Sequence, residues 1–206
     1  MTTIEVFSVV WCPFAHVGLR TLVARRQAAG RADLPLRLRA WPLELVNQAP
    51  QDPAVAAAHV ADLRAQVAPG LFAGFDPNTF PRTTLPALAL THAAYRVSDA
   101  VGEALGLALR TALFEEGREI SDPAVLAAIA GRLGVQGPAT AADHEAVLGD
   151  WREGDQRRVQ GSPHLFCGAR SAFCPSLDIA KDADGDLHVR PDPAALDEFL
   201  DGCFTS

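Results

Sequence analysis

The stretch SVVWCPFAHVGLR, Ser8 to Arg20, places a single cysteine, Cys12, between Trp11 and Pro13. A thiol is a strong nucleophile once ionised, and its pKa decides how much of it is ionised at neutral pH. Cys12 follows a strand-like run, Ile4 to Val10, and precedes a segment with helical spacing. As the last residue before a helix it would face the free N–H groups of the first turn and the positive end of the helix dipole. Both favour the thiolate, so a depressed thiol pKa is expected. His16 lies one helical turn further on, either beside the sulfur or facing solvent. The plainer alternative is that Cys12 is a small buried apolar residue, as many free cysteines are.

Three residues after Cys12 stands Ala15 rather than a second cysteine. Cys12 therefore cannot close a disulfide within its own turn. A mixed disulfide on it would need an external thiol, or another cysteine of the chain, for release. The other cysteines are Cys167, Cys174 and Cys203. Four cysteines are too few and too scattered for a disulfide scaffold. Cys174 is a candidate resolving thiol. Cys167 lies four residues along a strand from Pro163, roughly 13 Å at 3.3 Å per residue, too far for a direct bridge. Cys203 reads as a packing residue. The cysteines lack the histidine pair of a zinc site, so no metal is expected.

The elements that must hold Cys12 are legible. Ile4 to Val10 is a strand, Phe14 to Ala29 an amphipathic helix with Pro13 in its first turn and Gly30 as C-cap, and LPLRLRAWPL a second strand. Together they form a βαβ unit with parallel strands. From Pro53 to about Gln160 nearly every segment has helical period, with Asp-Pro starts at Asp52 and Asp122 and a Ser98 cap. The C-terminal part returns to strands at PHLFC and around Asp184 and Gly185, then ends in a helix begun by Asp192 and Pro193. The order βαβ, helical block, ββα predicts an α/β thioredoxin-like fold with a large all-helical insertion. Residues 1–52 and 160–206 form the discontinuous core, and 53–159 the insertion, which should pack on the core to cover its short apolar stripes.

The chain has 206 residues and a formal net charge of −7, which argues against the basic face that nucleic acid would require. Lys181 is the only lysine. No apolar run reaches the ~18 residues of a membrane span. The opening MTTIEVFSVV has no basic n-region and no cleavage site, so a secretory leader is not expected and the cytoplasm is the expected compartment. His59, His92, His144 and His188 read as structural or solvated. Glu115 and Glu116 read as a solvated helix end. The loop residues Leu71, Phe72, Phe75 and Phe80, with Trp11 and Phe14, would either line a pocket over Cys12 or pack in the core.

VQGSPHLF, Val159 to Phe166, puts a small residue and a proline just before a strand. With WCPFA at the first strand–helix turn and a helical block between the two, the chain resembles the DsbA-like thioredoxin family. It is most similar to the cytosolic oxidoreductases related to kappa-class glutathione transferases and 2-hydroxychromene-2-carboxylate isomerases. The resemblance implies that Cys12 attacks a disulfide, that Pro163 is a cis-proline facing it, and that Ser162 presents its backbone to the substrate. Trp11, Pro13, Phe14 and His164 would border the substrate or thiol. It further implies a small thiol or disulfide substrate, with mycothiol or glutathione as cosubstrate, on a monomer or homodimer. The segment AFCPSLDI has Ser176 and Asp178 at a spacing unlike the family's acidic glutathione motif. Kappa-like transfer or isomerisation, with Cys12 holding a bound thiol, stays open beside thiol–disulfide exchange. So does a thioredoxin-fold binding protein without catalysis.

Overall fold

The computed structural model describes residues 2–205. Its centre is β1 (Ile4–Ser8), which is almost wholly buried and takes strands on both sides. Strand β2 (Leu36–Ala40) runs parallel to it with Ile4 opposite Leu36. Strand β3 (His164–Cys167) is antiparallel on the other side, with Val6 opposite Leu165. Strand β4 (Arg170–Phe173) completes the sheet in the order β2-β1-β3-β4.

Alternation along β1 assigns its two faces. Ile4 and Val6 point into a cluster with Leu19 and Leu22 of α1 (Pro13–Ala28) and Leu196, Phe199 and Leu200 of α8 (Pro193–Phe204). Phe7 points the other way, to Trp41 and Phe166, beneath α7 (Ala141–Gln156). On that face Arg39 of β2 binds Asp150 at 2.6 Å and pairs with Glu5 and Glu153. Asp150 also accepts from the Ala40 N–H at 2.8 Å and contacts His92 at 2.9 Å. These bonds hold the Asp150 carboxyl below its ordinary pKa despite burial and tie α7 to β2. His92 is thus a paired group, not a solvated one.

Between β2 and β3 run the short α2 (Leu43–Val46), α3 (Pro53–Gln66), α4 (Leu85–Tyr95), α5 (Asp99–Phe114), α6 (Pro123–Arg132) and α7. The Asp52 and Asp122 carboxylates cap α3 and α6 through the N–H groups of Ala54 and Ala124, and Ser98 caps α5. The helices pack on the sheet: one continuous apolar cluster runs from Val9 and Val10 through Leu63, Phe72, Leu90, Leu109 and Phe114.

The structure revises the C-terminal reading. The strand at PHLFC turns directly into β4, while the segment around Asp184 and Gly185 forms a separate two-stranded sheet of β5 (Leu177–Lys181) and β6 (Leu187–Pro191). Strand β4 is an edge strand, mostly exposed, and its RSAF sequence lacks the apolar alternation that marks a half-buried strand. Strand β1 is also shorter than the apolar run: Val9 and Val10 already belong to the turn.

Candidate active site

Cys12 is the N-cap of α1, with extended backbone angles (φ −79°, ψ 115°) that end the turn from β1. Pro13 supplies the first helical position, where its missing N–H costs nothing. The helix ends at Ala28, and Gly30 follows at φ +68°, a left-handed conformation that glycine adopts without a Cβ clash. Cys12 Sγ accepts from the Ala15 N–H at 3.4 Å and donates to the Ser162 carbonyl at 3.0 Å. The Ser162–Pro163 peptide bond is cis. Ser162 Oγ accepts from the Val9 N–H at 3.0 Å, which docks this loop on the turn that carries the cysteine.

A cavity of about 210 Å³ opens over the sulfur. Trp11, Cys12, Pro13 and Phe14 form one wall and Ser162 borders it. The opposite wall comes from the chain after β2: Leu43, Gln51, Ala56 and His59. Of the two places open to Leu71, Phe72, Phe75 and Phe80, a cavity lining or the core, the structure shows the core. Phe80 stacks on Trp11 at 5.6 Å between centroids, backing the wall rather than forming it. A larger apolar cavity of about 650 Å³ lies between α4 and α6, bordered by Leu90, Leu126 and His144. No cysteine lines it.

Burial dominates the electrostatics. Cys12 is 7 % exposed. Burial pushes its thiol up, and the Ala15 N–H, the Ser162 hydroxyl, the Phe14 N–H and the Arg110 charge pull it back only in part. The thiol is therefore protonated at rest, consistent with its hydrogen bond to the Ser162 carbonyl. This corrects the expectation of a depressed pKa: the helix N-terminus is present, but desolvation outweighs it.

His16 neither sits beside the sulfur nor faces solvent. It is 1 % exposed, stacks on Phe114 at 5.0 Å, and its Nε2 lies 3.2 Å from both the Leu71 carbonyl and Glu115. Glu115 also pairs with Arg20, so it is not a solvated helix end. Burial lowers the His16 pKa to about 4, against the pull of Glu115. The unfolded chain takes up this proton near pH 6.5 and the folded protein only near 4. Stability is therefore lost as pH falls between those values, by about 1.4 kcal/mol per pKa unit of separation. Denaturant midpoints from pH 7 to 4 should fall less steeply in His16→Gln than in the native protein. Parallel curves would mean that His16 titrates normally.

His164 is buried 4 % exposed among aromatic neighbours, 4.5 Å from Phe166 and 6.0 Å from Phe173, and its Nδ1 accepts from the Gln160 N–H. It does not line the cavity. Cys174 lies behind the cis peptide, its N–H donating to the Pro163 carbonyl at 2.9 Å, and burial pushes its thiol to about 12. Cys167 and Cys203 share the cluster between the sheet and α8. Ser176 is buried with its Oγ 3.5 Å from the Gly18 carbonyl, and Asp178 pairs with Arg190.

Two residues escaped the sequence. His59 lines the cavity and packs edge-on against Phe14 at 5.2 Å. Burial lowers its pKa, so it is a neutral proton acceptor at pH 7. Arg110 of α5 is buried behind the turn, donating to Ser8 Oγ at 2.8 Å. The helical period of both segments was plain, but nothing local shows that α3 and α5 meet the turn at Cys12.

The chain is similar in fold to a probable DsbA oxidoreductase from Streptomyces coelicolor, with 19 % identity over 100 % of this chain and 91 % of that one, at a TM-score of 0.70. It is similar also to the cytosolic disulfide reductase DsbM from Pseudomonas aeruginosa with GSH, with 15 % identity, 99 % and 100 % coverage and a TM-score of 0.65. A 2-hydroxychromene-2-carboxylate isomerase matches with 18 % identity over 83 % of this chain and 88 % of that one, at a TM-score of 0.64. No curated protein matches the chain significantly. The DSBA-like thioredoxin domain model matches residues 3–183, and with the sheet order and the cysteine turn described above this places the chain in the DSBA-like thioredoxin family.

Proposed function

We propose that the protein is a thiol–disulfide oxidoreductase that works through one nucleophile, Cys12, with a low-molecular-weight thiol as cosubstrate. One observation carries this: a lone thiol at the floor of a cavity, facing the Ser162 carbonyl, with Ala15 where a second thiol would close the cycle.

Cys12 gives up its proton, with His59 the neutral acceptor in the same cavity. The thiolate attacks one sulfur of a small disulfide; a new S–S bond forms, the old one breaks, and the departing thiolate takes its electron pair. A second, external thiolate then attacks the mixed disulfide and returns the electron pair to the Cys12 sulfur. The Cys12 pocket is narrow and apolar on its aromatic side, suiting a small disulfide more than a folded protein. Cytoplasmic action fits a relative described as a cytosolic disulfide reductase, and glutathione as partner fits the GSH in that relative's structure. Among the described residues no helix is long and apolar enough to cross a membrane.

Mass spectrometry after incubation with oxidised glutathione, and separately with oxidised mycothiol, tests the reading. The expected product is one thiol adduct on Cys12. An internal bridge from Cys12 to Cys174, seen as loss of two hydrogens with no adduct, would replace the external thiol by Cys174. Neither product with either disulfide would end the redox reading.

A further inference from the structure

Arg110 stands in the middle of α5 and is 2 % exposed. Its Nη1 donates to the Gly106 carbonyl at 2.9 Å, and its Nη2 to Ser8 Oγ at 2.8 Å and the Val9 carbonyl at 3.4 Å. Its Nε is buried without a partner. Among the described residues no carboxylate pairs with it. The nearest acids on its own helix and at the cap of that helix are engaged elsewhere, Glu103 with Arg26 and Glu115 with Arg20 and His16. A buried charge with no counter-charge is costly, and proteins seldom keep one without use.

The groups that feel the Arg110 charge are Cys12, Tyr95 and His16. Tyr95 is held neutral by burial, its hydroxyl bonded between the Leu36 carbonyl and the Leu38 N–H. His16 is neutral and, if charged, would be a cation. Only Cys12 can supply an anion. The same backbone serves both groups: the Val9 carbonyl accepts from Arg110 and from the Cys12 N–H, and the Val9 N–H holds Ser162 Oγ.

We propose that Arg110 is a positioning residue for Cys12: its buried guanidinium is the fixed counter-charge that the sulfur meets when it becomes a thiolate and again when it leaves as one. This rests on Cys12 being the nucleophile and deepens that reading. The thiolate lone pair forms the new S–S bond, and the pair released on resolution returns to Sγ, so the sulfur is negative at both ends of the cycle. Burial disfavours that charge; a cation that is itself desolvated acts in the same low-dielectric interior and is screened by salt much less than a surface charge. The other titratable groups on the elements packed around the turn are His16, His59, Glu115, Cys174 and Arg20, and none of them is a buried cation.

The test reads thiolate formation and needs no disulfide substrate, so it stands even if the protein proves to be no oxidoreductase. The pH dependence of iodoacetamide alkylation at Cys12 is measured in a Cys167→Ser, Cys174→Ser, Cys203→Ser background. In Arg110→Met the midpoint should rise by about one unit or more, and alkylation at pH 7 should slow about tenfold. Arg110→Lys should recover at least half of that shift. An unmoved midpoint in the Met variant, or a Lys variant as impaired as Met, overturns the proposal. If Arg110→Met does not fold, the coupling is read in reverse, since it is reciprocal. The Arg110 side-chain resonance of the native protein should titrate with the Cys12 midpoint and stay flat in Cys12→Ser. A native resonance flat through the Cys12 titration overturns it equally.

Discussion

With serine at position 12, exchange with oxidised glutathione falls by at least about 10³-fold and no adduct forms, measured by the rate of thiol release and by intact mass. Cys12 is the one side chain lining the cavity that can both attack a sulfur and depart from it. Serine keeps the rest of the site. It is among the preferred N-cap residues, so the Ala15 N–H retains an acceptor, and its hydroxyl can still donate to the Ser162 carbonyl. The stability change should stay within about 1 kcal/mol, which assigns the lost rate to chemistry rather than to folding. The same variant separates the two enzyme classes. Where a bound thiol does the work, as in conjugation or isomerisation, catalysis survives at a large fraction of the native rate. Exchange by Cys12→Ser within tenfold of native would remove Cys12 from its role as nucleophile.

Ala15→Cys should convert the protein to a self-resolving enzyme. Ala15 is the third residue of α1, and its N–H already lies 3.4 Å from Cys12 Sγ. A sulfur added at its Cβ stands one turn from the N-cap sulfur, within reach of a disulfide. Glutathione adducts on Cys12 should then drop at least tenfold, replaced by an internal bridge detected as the loss of two hydrogens, because an intramolecular thiol outcompetes an external one. Ala15 is fully buried, so the extra atom costs about 1–3 kcal/mol of stability. Adducts that accumulate as in the native protein would show that the turn holds the two positions too far apart in orientation to bond.

The sequence carried the frame of this site and little of its electrostatics. The strand–Cys-Pro–helix turn, the parallel return through Leu36 to Ala40, and the Asp-Pro helix starts all announce themselves within a few residues. Their signals are local: periodicity, a cap, a proline. Strand β4 was invisible because an exposed edge strand needs no apolar alternation. His59 and Arg110 were invisible for a different reason. Each sits on an ordinary helical segment, and only tertiary packing brings α3 to the cavity and α5 to the back of the turn. The sign of the Cys12 shift escapes the sequence on the same ground. The N–H groups that favour its charge come from its own helix and can be anticipated, whereas the desolvation that opposes it is imposed by the whole fold.

On the proposed mechanism with Cys12 as the lone nucleophile, Ala15 also fixes the mass-action law of the exchange. A lone thiol exchanging with a symmetrical disulfide gives up one molecule of free thiol per turn, so its oxidised fraction depends only on the ratio of disulfide to thiol around it. A dithiol releases two, and its oxidised fraction then depends on the square of the thiol concentration. Diluting the whole pool tenfold at constant ratio would shift a dithiol about tenfold toward oxidation and leave Cys12 unmoved. On that mechanism, a hydrogen in place of one thiol at position 15 would make the redox state of Cys12 follow the disulfide-to-thiol ratio, blind to how much thiol there is.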